Sequence, residues 1–345
     1  MFSDFLGDSA SSFAYAYGRL SGMEPKLASQ SLFDSLAAAS TVNEAVSLLG
    51  STSYGLGLQG ADPTSDAGLE DALSKGFLSV FQDVLSMLKE KDARDLNVLF
   101  MSGWDVQNIK HMVRTLHAGM SLSASELQTS PLGALDPGVI RNLLESKSLE
   151  DLRSRIPEEY GEMLRFAFED YARTKSLFEF ENQADKALVY HWLKSVGASL
   201  RDYVKTRVDA INIVCSLRCR HGKISPGKYL IPDGFYLNSK KIAALADESI
   251  SLKIALEDTP YLEMVSENEE KNGAYLTTME SRLSNFLSQE VSRQAMKSPL
   301  SIYSIIHFIE LKVREYRTIR ALLLGKRAGL AAEDLKRMVT WIQST

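Results

Sequence analysis

Apolar residues recur at helical spacing along almost the whole chain. One apolar stripe runs from Leu73 to Leu88 at steps of three and four residues, the spacing of one helix face. A second runs from about Ala184 to His221, interrupted in its pattern only by Gly197. This second stretch predicts one helix with a length of about 55 Å.

The alternating pattern of β-strands is almost absent. The stretch GKYLIPDGFYL (227–237) has the composition of a strand, but its glycine, proline and aspartate are turn-forming residues. We therefore interpret it as an ordered loop, and we predict an all-α fold.

A pattern about 100 residues long occurs three times. Each copy has an acid, then Asn or Thr three residues later, then Ile, and a glycine 13 or 14 residues after the acid. The acids lie 104 and 106 residues apart. The members are Asp105, Asn108 and Gly119 in the first copy, Asp209, Asn212 and Gly222 in the second, and Glu315, Thr318 and Gly329 in the third.

A tyrosine landmark repeats with a similar period. Tyr54, Tyr160 and Tyr261 each follow an apolar helix end and a short polar break, at separations of 106 and 101 residues. Two landmarks with one period predict three copies of a domain-sized unit. We predict an N-terminal helix over 1–21, repeats over 22–118 and 119–221, and a third repeat over 222–345 that includes the C-terminal helices.

The acid and the amide of each copy fit a packing role. Side chains three residues apart share one face of a helix, which places Asp105 and Asn108 beside the core position Ile109. A half-buried asparagine has donors and an acceptor that hold a neighbouring loop in one register. We therefore predict that the acids, their Asn or Thr partners and the three tyrosines belong to the scaffold.

The stretch REYRTIRALLLGKRAGL (314–330) contains a Gly-Lys pair, which raises the question of phosphate binding. A phosphate-binding loop needs Gly-x-x-x-x-Gly-Lys-Ser/Thr at the start of a helix. Here position 320 is Arg, position 327 is also Arg, and the pair lies near a predicted helix end, where the dipole repels anions. The stretch is basic, but it lacks interleaved aromatic residues and any RNA-binding signature. We expect no nucleotide cofactor and no nucleic acid.

The composition and the cysteine content give no indication of a catalytic or metal-binding site. The net charge is −5, and 45% of the residues are hydrophobic, as is usual for a chain with a sizeable core. No apolar run approaches the roughly 20 residues of a membrane span. Cys215 and Cys219 are the only cysteines. They indicate core thiols in a reduced intracellular setting rather than a disulfide framework or a zinc site. We predict no metal site and no catalytic residues.

Three motifs carry a resemblance to a known family. They are WDVQNIKHMVR (104–114), LKVREYRTIRALLLGKRAGL (311–330) and YGRLSGMEPKLAS (17–29). They resemble, respectively, the Trp/Tyr-Asp-x-x-Asn-Ile-Lys, the Lys-Glu-x-Glu-x-x-Asn-Ile-Arg and the Ala-Arg-x-Arg-x-Met-Glu motifs of the C subunit of archaeal-type ATP synthases and bacterial V-type ATPases. That protein is equivalent to the d subunit of vacuolar ATPases. The departures are Val313, Thr318 and Ser21.

The resemblance implies a non-catalytic part of a rotary motor. It implies three similar helical domains about a pseudo-threefold axis, arranged as a funnel. The expected partners are the central shaft subunits D and F and the proteolipid ring of the membrane sector, without a small-molecule substrate. The expected location is peripheral, on the cytoplasmic face of the membrane. The alternative is a free-standing helical scaffold that binds a partner helix, or RNA, in a cavity.

Four arginines of the basic stretch are candidates for docking the shaft. They are Arg314, Arg317, Arg320 and Arg327. Their spacing spreads them over more than one helix face, so we expect some of them to pair within the protein, for example with Glu310 or Glu315.

Overall fold

The computed structural model describes residues 8–58, 66–122, 133, 135, 137–232, 234–265 and 274–344. These residues form α-helices, short 3-10 turns and loops, with no β-strand among them. The all-α prediction is therefore confirmed. The chain divides into two compact units, one of residues 1–155 and 291–345 and the other of residues 156–290. The repeat boundaries stay a prediction.

The helices are given in chain order. They are α1 (Asp8–Met23), α2 (Gln30–Ala38), α3 (Val42–Leu48), α4 (Gly55–Leu58), α5 (Asp66–Ser86), α6 (Glu90–His117), α7 (Pro137–Leu144), α8 (Leu149–Arg155), α9 (Glu158–Met163), α10 (Arg165–Thr174), α11 (Leu177–Ser195), α12 (Ala198–Gly222), α13 (Ser239–Ala246), α14 (Leu252–Ala255), α15 (Ala274–Lys297), α16 (Ile302–Arg327) and α17 (Ala332–Ser344). The helix predicted over 1–21 corresponds to α1, and residues 1–7 lie outside the described residues.

The first unit is organised around α16. This helix contacts α1, α2, α3, α5 and α17. Its buried positions include Ile305 and Ile319 on one face and Ile306 and Leu322 on the two sides of it, so that apolar side chains are buried on several faces. The first and last helices, α1 and α17, both pack against α16, so α16 brings them into the same unit.

The second unit is organised around α12. It packs against α11 and α13, and α10 packs on α11. Its core includes Ile213, Leu217, Tyr229, Tyr261 and Met279. The thiols of the two cysteines lie in this core without a disulfide.

The helix predicted from Ala184 to His221 is wrong as one continuous element. α11 ends at Ser195 and α12 begins at Ala198, with Val196 and Gly197 in extended conformations between them. Glycine has a low helix propensity, and here it is the N-cap of α12. The apolar pattern crosses the break because both helices bury their stripes in one unit. The loop interpretation of 227–237 is confirmed for the described part of that stretch, which contains a 3-10 turn at Pro226–Lys228 and no strand.

The three long helices α6, α12 and α16 end in the same way. A residue in the left-handed region follows each helix, and the next N–H bonds back to a carbonyl five residues earlier, as in a Schellman motif. The left-handed residues are Gly119, Lys223 and Gly329, with φ of 73°, 54° and 78°. The bonds are Met120 N to Thr115 O, Ile224 N to Cys219 O and Leu330 N to Gly325 O, at 3.1, 2.9 and 3.0 Å. In the second copy the left-handed residue is Lys223 rather than Gly222, the glycine of the sequence pattern, so the distance from the acid to the left-handed residue is 14 residues in all three copies.

We expect Lys223→Gly to raise the free energy of unfolding by about 1 kcal/mol. A non-glycine residue in the left-handed region carries a steric cost of this size, and glycine removes it. Urea unfolding at neutral pH measures the change. The control is Lys223→Ala, which removes the same charge but keeps the Cβ atom. Equal effects of both substitutions would show that charge, not backbone conformation, is responsible.

Candidate functional site: three acid clasps

Asp209 on α12 holds the loop that precedes α13. The backbone N–H groups of Phe235, Tyr236 and Leu237 donate to its carboxylate at 2.7 to 3.3 Å. The Tyr261 hydroxyl donates to Oδ2 at 3.1 Å. The side chain has no solvent exposure. We call such an arrangement an acid clasp: an acid on a long helix that accepts the backbone N–H two residues before a short helix.

The Asp209 carboxyl is poised between two opposing effects. Its pKa is raised to about 6, because burial outweighs the backbone donors and the Tyr261 hydroxyl, which lower the pKa. Burial and the Asp209 charge together raise the pKa of Tyr261 well above its usual range, which keeps its hydroxyl protonated as a donor. Asn212 adds two bonds to the same loop, from Nδ2 to Ile231 O at 2.8 Å and from Ile231 N to Oδ1 at 2.7 Å. One acid and one amide therefore fix the register of this loop.

Glu315 on α16 forms a second clasp. Ala28 N, two residues before α2, donates to its Oε2 at 3.0 Å. Lys312 Nζ pairs with Oε1 at 2.5 Å and also donates to Ser53 Oγ at 2.7 Å. The same ammonium lies 4.4 Å from the centroid of the Tyr54 ring. Burial lowers the pKa of Lys312, although the Glu315 charge opposes the change.

Asp105 on α6 forms a third clasp. Leu135 N, two residues before α7, lies 3.3 and 3.4 Å from its carboxylate oxygens. A glycine lies close to the acid in two of the clasps. A Cβ atom on Gly133 would fall 1.6 Å from Asp105 Oδ1, and one on Gly234 would fall 1.8 Å from Asp209 Oδ1. Only glycine allows the backbone to approach the carboxylate this closely.

The three clasps share one register and follow a cyclic order. The clasped N–H belongs in each case to the residue two before a short helix, and these residues are 107 and 102 positions apart in chain order. The acids of the first and second copies of the sequence pattern hold loops that follow them in the chain. The acid of the third copy holds the loop after α1, near the start of the chain. The residues are Asp105 with Leu135, Asp209 with Leu237, and Glu315 with Ala28.

The tyrosines of the repeat are all buried, and two of them lie at a clasp acid. Tyr261 bonds Asp209 directly. The Tyr54 hydroxyl is buried and has no hydrogen bond of good geometry. Burial raises its pKa most, and the nearby Glu315 charge raises it further. Tyr160 is buried in the second unit, at α9. All three therefore lie in the core.

A threonine that the sequence patterns did not single out shapes the turn before two of these tyrosines. Thr52 Oγ1 donates to Leu49 O and accepts from Tyr54 N. Thr259 makes the same two bonds, with Leu256 O and Tyr261 N. The signal in the sequence is Leu-x-x-Thr-x-Tyr, which occurs at 49–54 and 256–261. In the remaining segment, which ends at Tyr160, the position of the threonine is occupied by Glu158.

The amide position of the repeat differs between copies. Asn108 and Asn212 are buried, and Asn212 bonds a loop as described. Thr318 is buried too, but its hydroxyl donates to Arg314 O of its own helix at 2.9 Å. The third copy therefore keeps the acid and replaces the loop-holding amide by a residue bonded within α16, while Lys312 and Ser53 supply the additional bonds there.

The four arginines of the basic stretch lie in different environments. Arg317 is exposed, whereas Arg314 and Arg327 are partly buried. Arg320 pairs with Glu70 of α5 through Nε and Oε1 at 2.5 Å. Burial raises the pKa of Glu70, and the Arg320 charge opposes the change. The partner of Arg320 is thus Glu70, which lies outside the basic stretch.

The Gly-Lys pair of α16 has a packing explanation. A Cβ atom on Gly325 would lie 2.6 Å from Leu335 Cδ2, so the glycine permits the close approach of α17. Lys326 Nζ donates to Ala37 O at 3.0 Å and also to Ala39 O, at the C-terminal end of α2. A cation at this position satisfies carbonyls that lack helical partners and interacts favourably with the helix dipole.

Comparisons with known proteins agree with the motifs. Residues 16–338 match the model of the ATP synthase (C/AC39) subunit family. Proteins named as the C subunit of A-type ATP synthase are similar over most of the chain. That of Methanocaldococcus jannaschii is 24% identical over 95% of this chain and 86% of its own length. That of Thermococcus kodakarensis is 26% identical over 95% and 90%, and that of Halorubrum lacusprofundi is 28% identical over 78% and 80%.

The described helices were also compared with the requirements of a membrane span. None of them is both long and apolar enough to cross a membrane. The clasp acids accept backbone N–H groups of loops in the fold. With the family model matched from α1 to α17, the chain belongs to the ATP synthase (C/AC39) subunit family.

Proposed function

We propose that this protein is a non-catalytic socket in the central stalk of a rotary ATP synthase. One face receives the shaft subunits D and F, and another rests on the proteolipid ring, so that rotation of the shaft and ion translocation through the ring are coupled. Membership of the ATP synthase (C/AC39) subunit family supports a place in the complex. The observation that carries the socket role is the cyclic order of the three acid clasps.

The cyclic order supports three helical domains about a pseudo-threefold axis. In a linear array of repeats, the last acid has no following loop to hold. Here Glu315 of the third repeat holds the Ala28 loop of the first. Closing three repeats in this way leaves a central opening of the kind that a shaft can enter. We therefore propose the boundaries 22–118, 119–221 and 222–345 for the domains, with the helix before residue 22 as a separate element.

The contacts that join the first and third repeats are suited to carrying torque. The other two junctions are covalent, but this one depends on side chains. One ion pair crosses it, Arg320 of α16 with Glu70 of α5. The Lys312–Glu315 pair lies within α16, and Lys312 also donates to Ser53 of the first repeat. All four charged side chains are at most 16% exposed. Desolvated ion pairs resist separation strongly because breaking them leaves an uncompensated buried charge. A rotor part needs a junction of this strength wherever the chain itself does not cross.

Among the four candidate shaft-docking arginines, we propose Arg317 as the main contact with acidic side chains of the shaft. Arg317 is the exposed one, whereas Arg320 serves the pair with Glu70. Arg314 and Arg327 are partly buried, and they contribute less to the contact with the shaft. A charge at the rim of an interface changes the association rate more than the affinity of the formed complex.

We expect Arg317→Glu to slow association with the D–F shaft by about tenfold at low salt and to have little effect at high salt, because screening removes a rim charge interaction. The association rate is measured by the binding kinetics of the purified variant to shaft subunits immobilised on a surface. The control is Arg201→Glu, at an exposed arginine of α12. Unchanged kinetics for Arg317→Glu at both salt concentrations, with an intact fold, would assign α16 to the scaffold alone.

The socket itself is tested by fractionation of cells under native conditions. We expect the protein in washed membranes, together with the other components of the ATP synthase. Recovery of the whole population from the soluble fraction, without those components, would favour the free-standing scaffold that binds a partner helix or RNA.

A further inference from the structure

The loop over residues 234–237 in the second unit is attached to α12 through one carboxylate. The backbone N–H groups of Phe235, Tyr236 and Leu237 all donate to Asp209. The acid has no exposure to solvent, whereas the Phe235 side chain is 45% exposed. The loop therefore has a buried attachment point and an outer edge in contact with water. We call residues 234–237 together with Asp209 the latch.

No opposite charge pairs with Asp209 among the described residues. Its fourth donor is the Tyr261 hydroxyl at 3.1 Å, so all of its donors are neutral. The Glu315 clasp differs, because the Lys312 ammonium pairs with that acid at 2.5 Å. An ionised Asp209 is therefore a buried charge stabilised by dipoles alone, and burying a charge without an opposite charge is costly.

The titratable groups that face the latch are tyrosines. Tyr261 faces the Asp209 carboxyl from the segment after α14, and the ring of Tyr236 packs edge-on against Tyr261 from the loop. Glu290 of α15 acts on the Tyr261 hydroxyl and, after burial and Asp209, helps to raise its pKa. Tyr261 thus stays protonated, which leaves Asp209 as the group of the latch that takes up or releases a proton.

Charged groups on the other elements packed against α12 have partners away from the latch. These elements are α11, α13, α15 and the 3-10 turn before α13. The contacts are Glu181 and Glu280 with Arg218, Lys241 with the carbonyl of Glu257, and Lys228 with Glu179.

We propose that the latch is a pH-sensitive element of the fold, held more firmly at acidic than at neutral pH because Asp209 takes up a proton. A neutral carboxyl removes the buried charge, and its oxygen atoms still accept N–H groups. Its own O–H can donate to the Tyr261 oxygen atom, since a tyrosine hydroxyl both donates and accepts. The closed loop is therefore compatible with the protonated acid, whereas opening brings water to Asp209 and favours the ionised form.

The direction of the effect follows from the two forms of the latch. In the closed form the pKa of Asp209 is about 6, raised from 3.8 because burial outweighs its donors. An open latch exposes the acid to water and returns the pKa toward its ordinary value. The closed form binds the proton more tightly, so its advantage is complete below about pH 4 and is lost as the pH rises through about 6. Local opening is then most frequent at neutral pH.

Amide hydrogen exchange of the intact protein tests the latch. Exchange in peptides that contain residues 235–237 is measured from about pH 5 to about pH 7.5 and corrected for the intrinsic pH dependence of amide exchange. We expect the protection factor to fall about tenfold over this range, with a midpoint near the Asp209 pKa of about 6. The internal control is Ala28, whose N–H is bonded to the ion-paired Glu315 and should keep its protection.

Asp209→Asn identifies the titrating group, because asparagine is neutral at every pH. The corrected protection of residues 235–237 should then be independent of pH. If this variant does not fold, carbon NMR of wild-type protein labelled at the aspartate Cγ atoms replaces it. Asp92→Asn identifies the resonance of Asp92, whose pKa burial also raises. A further aspartate should titrate near pH 6.

Three results would overturn the proposal. The first is protection of residues 235–237 that is unchanged or higher at neutral pH. The second is a pH dependence that persists in Asp209→Asn, and the third is the absence of an aspartate, other than Asp92, that titrates between about pH 5 and about pH 7. None of these results bears on the proposed function, because the test uses the protein without its partners.

Discussion

Replacing Gly234 by alanine is expected to lower the free energy of unfolding by about 3 kcal/mol. The new Cβ atom would lie 1.8 Å from Asp209 Oδ1 and 3.1 Å from Leu237 O, so the loop and the carboxylate have to separate. Separation breaks several of the N–H bonds to a buried acid that has no exposure to water. Overpacking and an unsatisfied buried polar group are both among the mechanisms of large destabilisation. Urea unfolding monitored by circular dichroism measures the loss.

The control for this prediction is Gly161→Ala in the same unit. A Cβ atom at Gly161 meets nothing within 4 Å, and the residue lies inside α9, where alanine is the better helix former. This variant should be as stable as wild type or more stable, by up to about 1 kcal/mol. A loss below about 1 kcal/mol for Gly234→Ala would mean that the loop shifts at low cost and that the close approach is not required.

Sequence patterns were sufficient to predict the all-α class and to single out the clasp acids. Asp105, Asp209 and Glu315 stand out in the sequence because a repeat preserves them with a fixed spacing to the helix end. The loop at 227–237 was also predictable, since its turn residues interrupt a strand-like composition. The first prediction uses regular spacing along the chain and the second uses residues within one short loop, so neither depends on knowing which distant residues are in contact.

The partners of the clasp acids were not predictable, because they are distant along the chain. Arg320 and Glu70 are 250 positions apart, and no spacing rule connects them. Lys312 would be taken for a surface residue, since lysine is rarely buried without a partner. The break at Gly197 was missed because apolar periodicity continues across it, whereas Thr52 and Thr259 had a detectable signal in their shared motif.

Lys312 and Glu315 are expected to show strong energetic coupling in a double-mutant cycle. Their side chains are 5% and 4% exposed. Lys312→Met alone leaves the Glu315 carboxylate buried with only Ala28 N among its observed donors. Glu315→Gln alone leaves the ammonium of Lys312 without an opposite charge. Removing one partner of a buried pair costs about 3–5 kcal/mol, whereas replacing both often costs much less.

We therefore expect the double variant Lys312→Met/Glu315→Gln to lose at least about 2 kcal/mol less than the sum of the single losses, as contacting residues in one network do. The glutamine oxygen can still accept the Ala28 bond, which isolates the charge pair. The control cycle uses Lys75 and Asp71 of α5, an exposed pair at i, i+4, for which coupling of about 0.5 kcal/mol or less is expected. Similar small coupling in both cycles would show that water reaches the Lys312–Glu315 pair, and the charges of this pair would then add little to the bonds that α16 makes with Ala28 and Ser53.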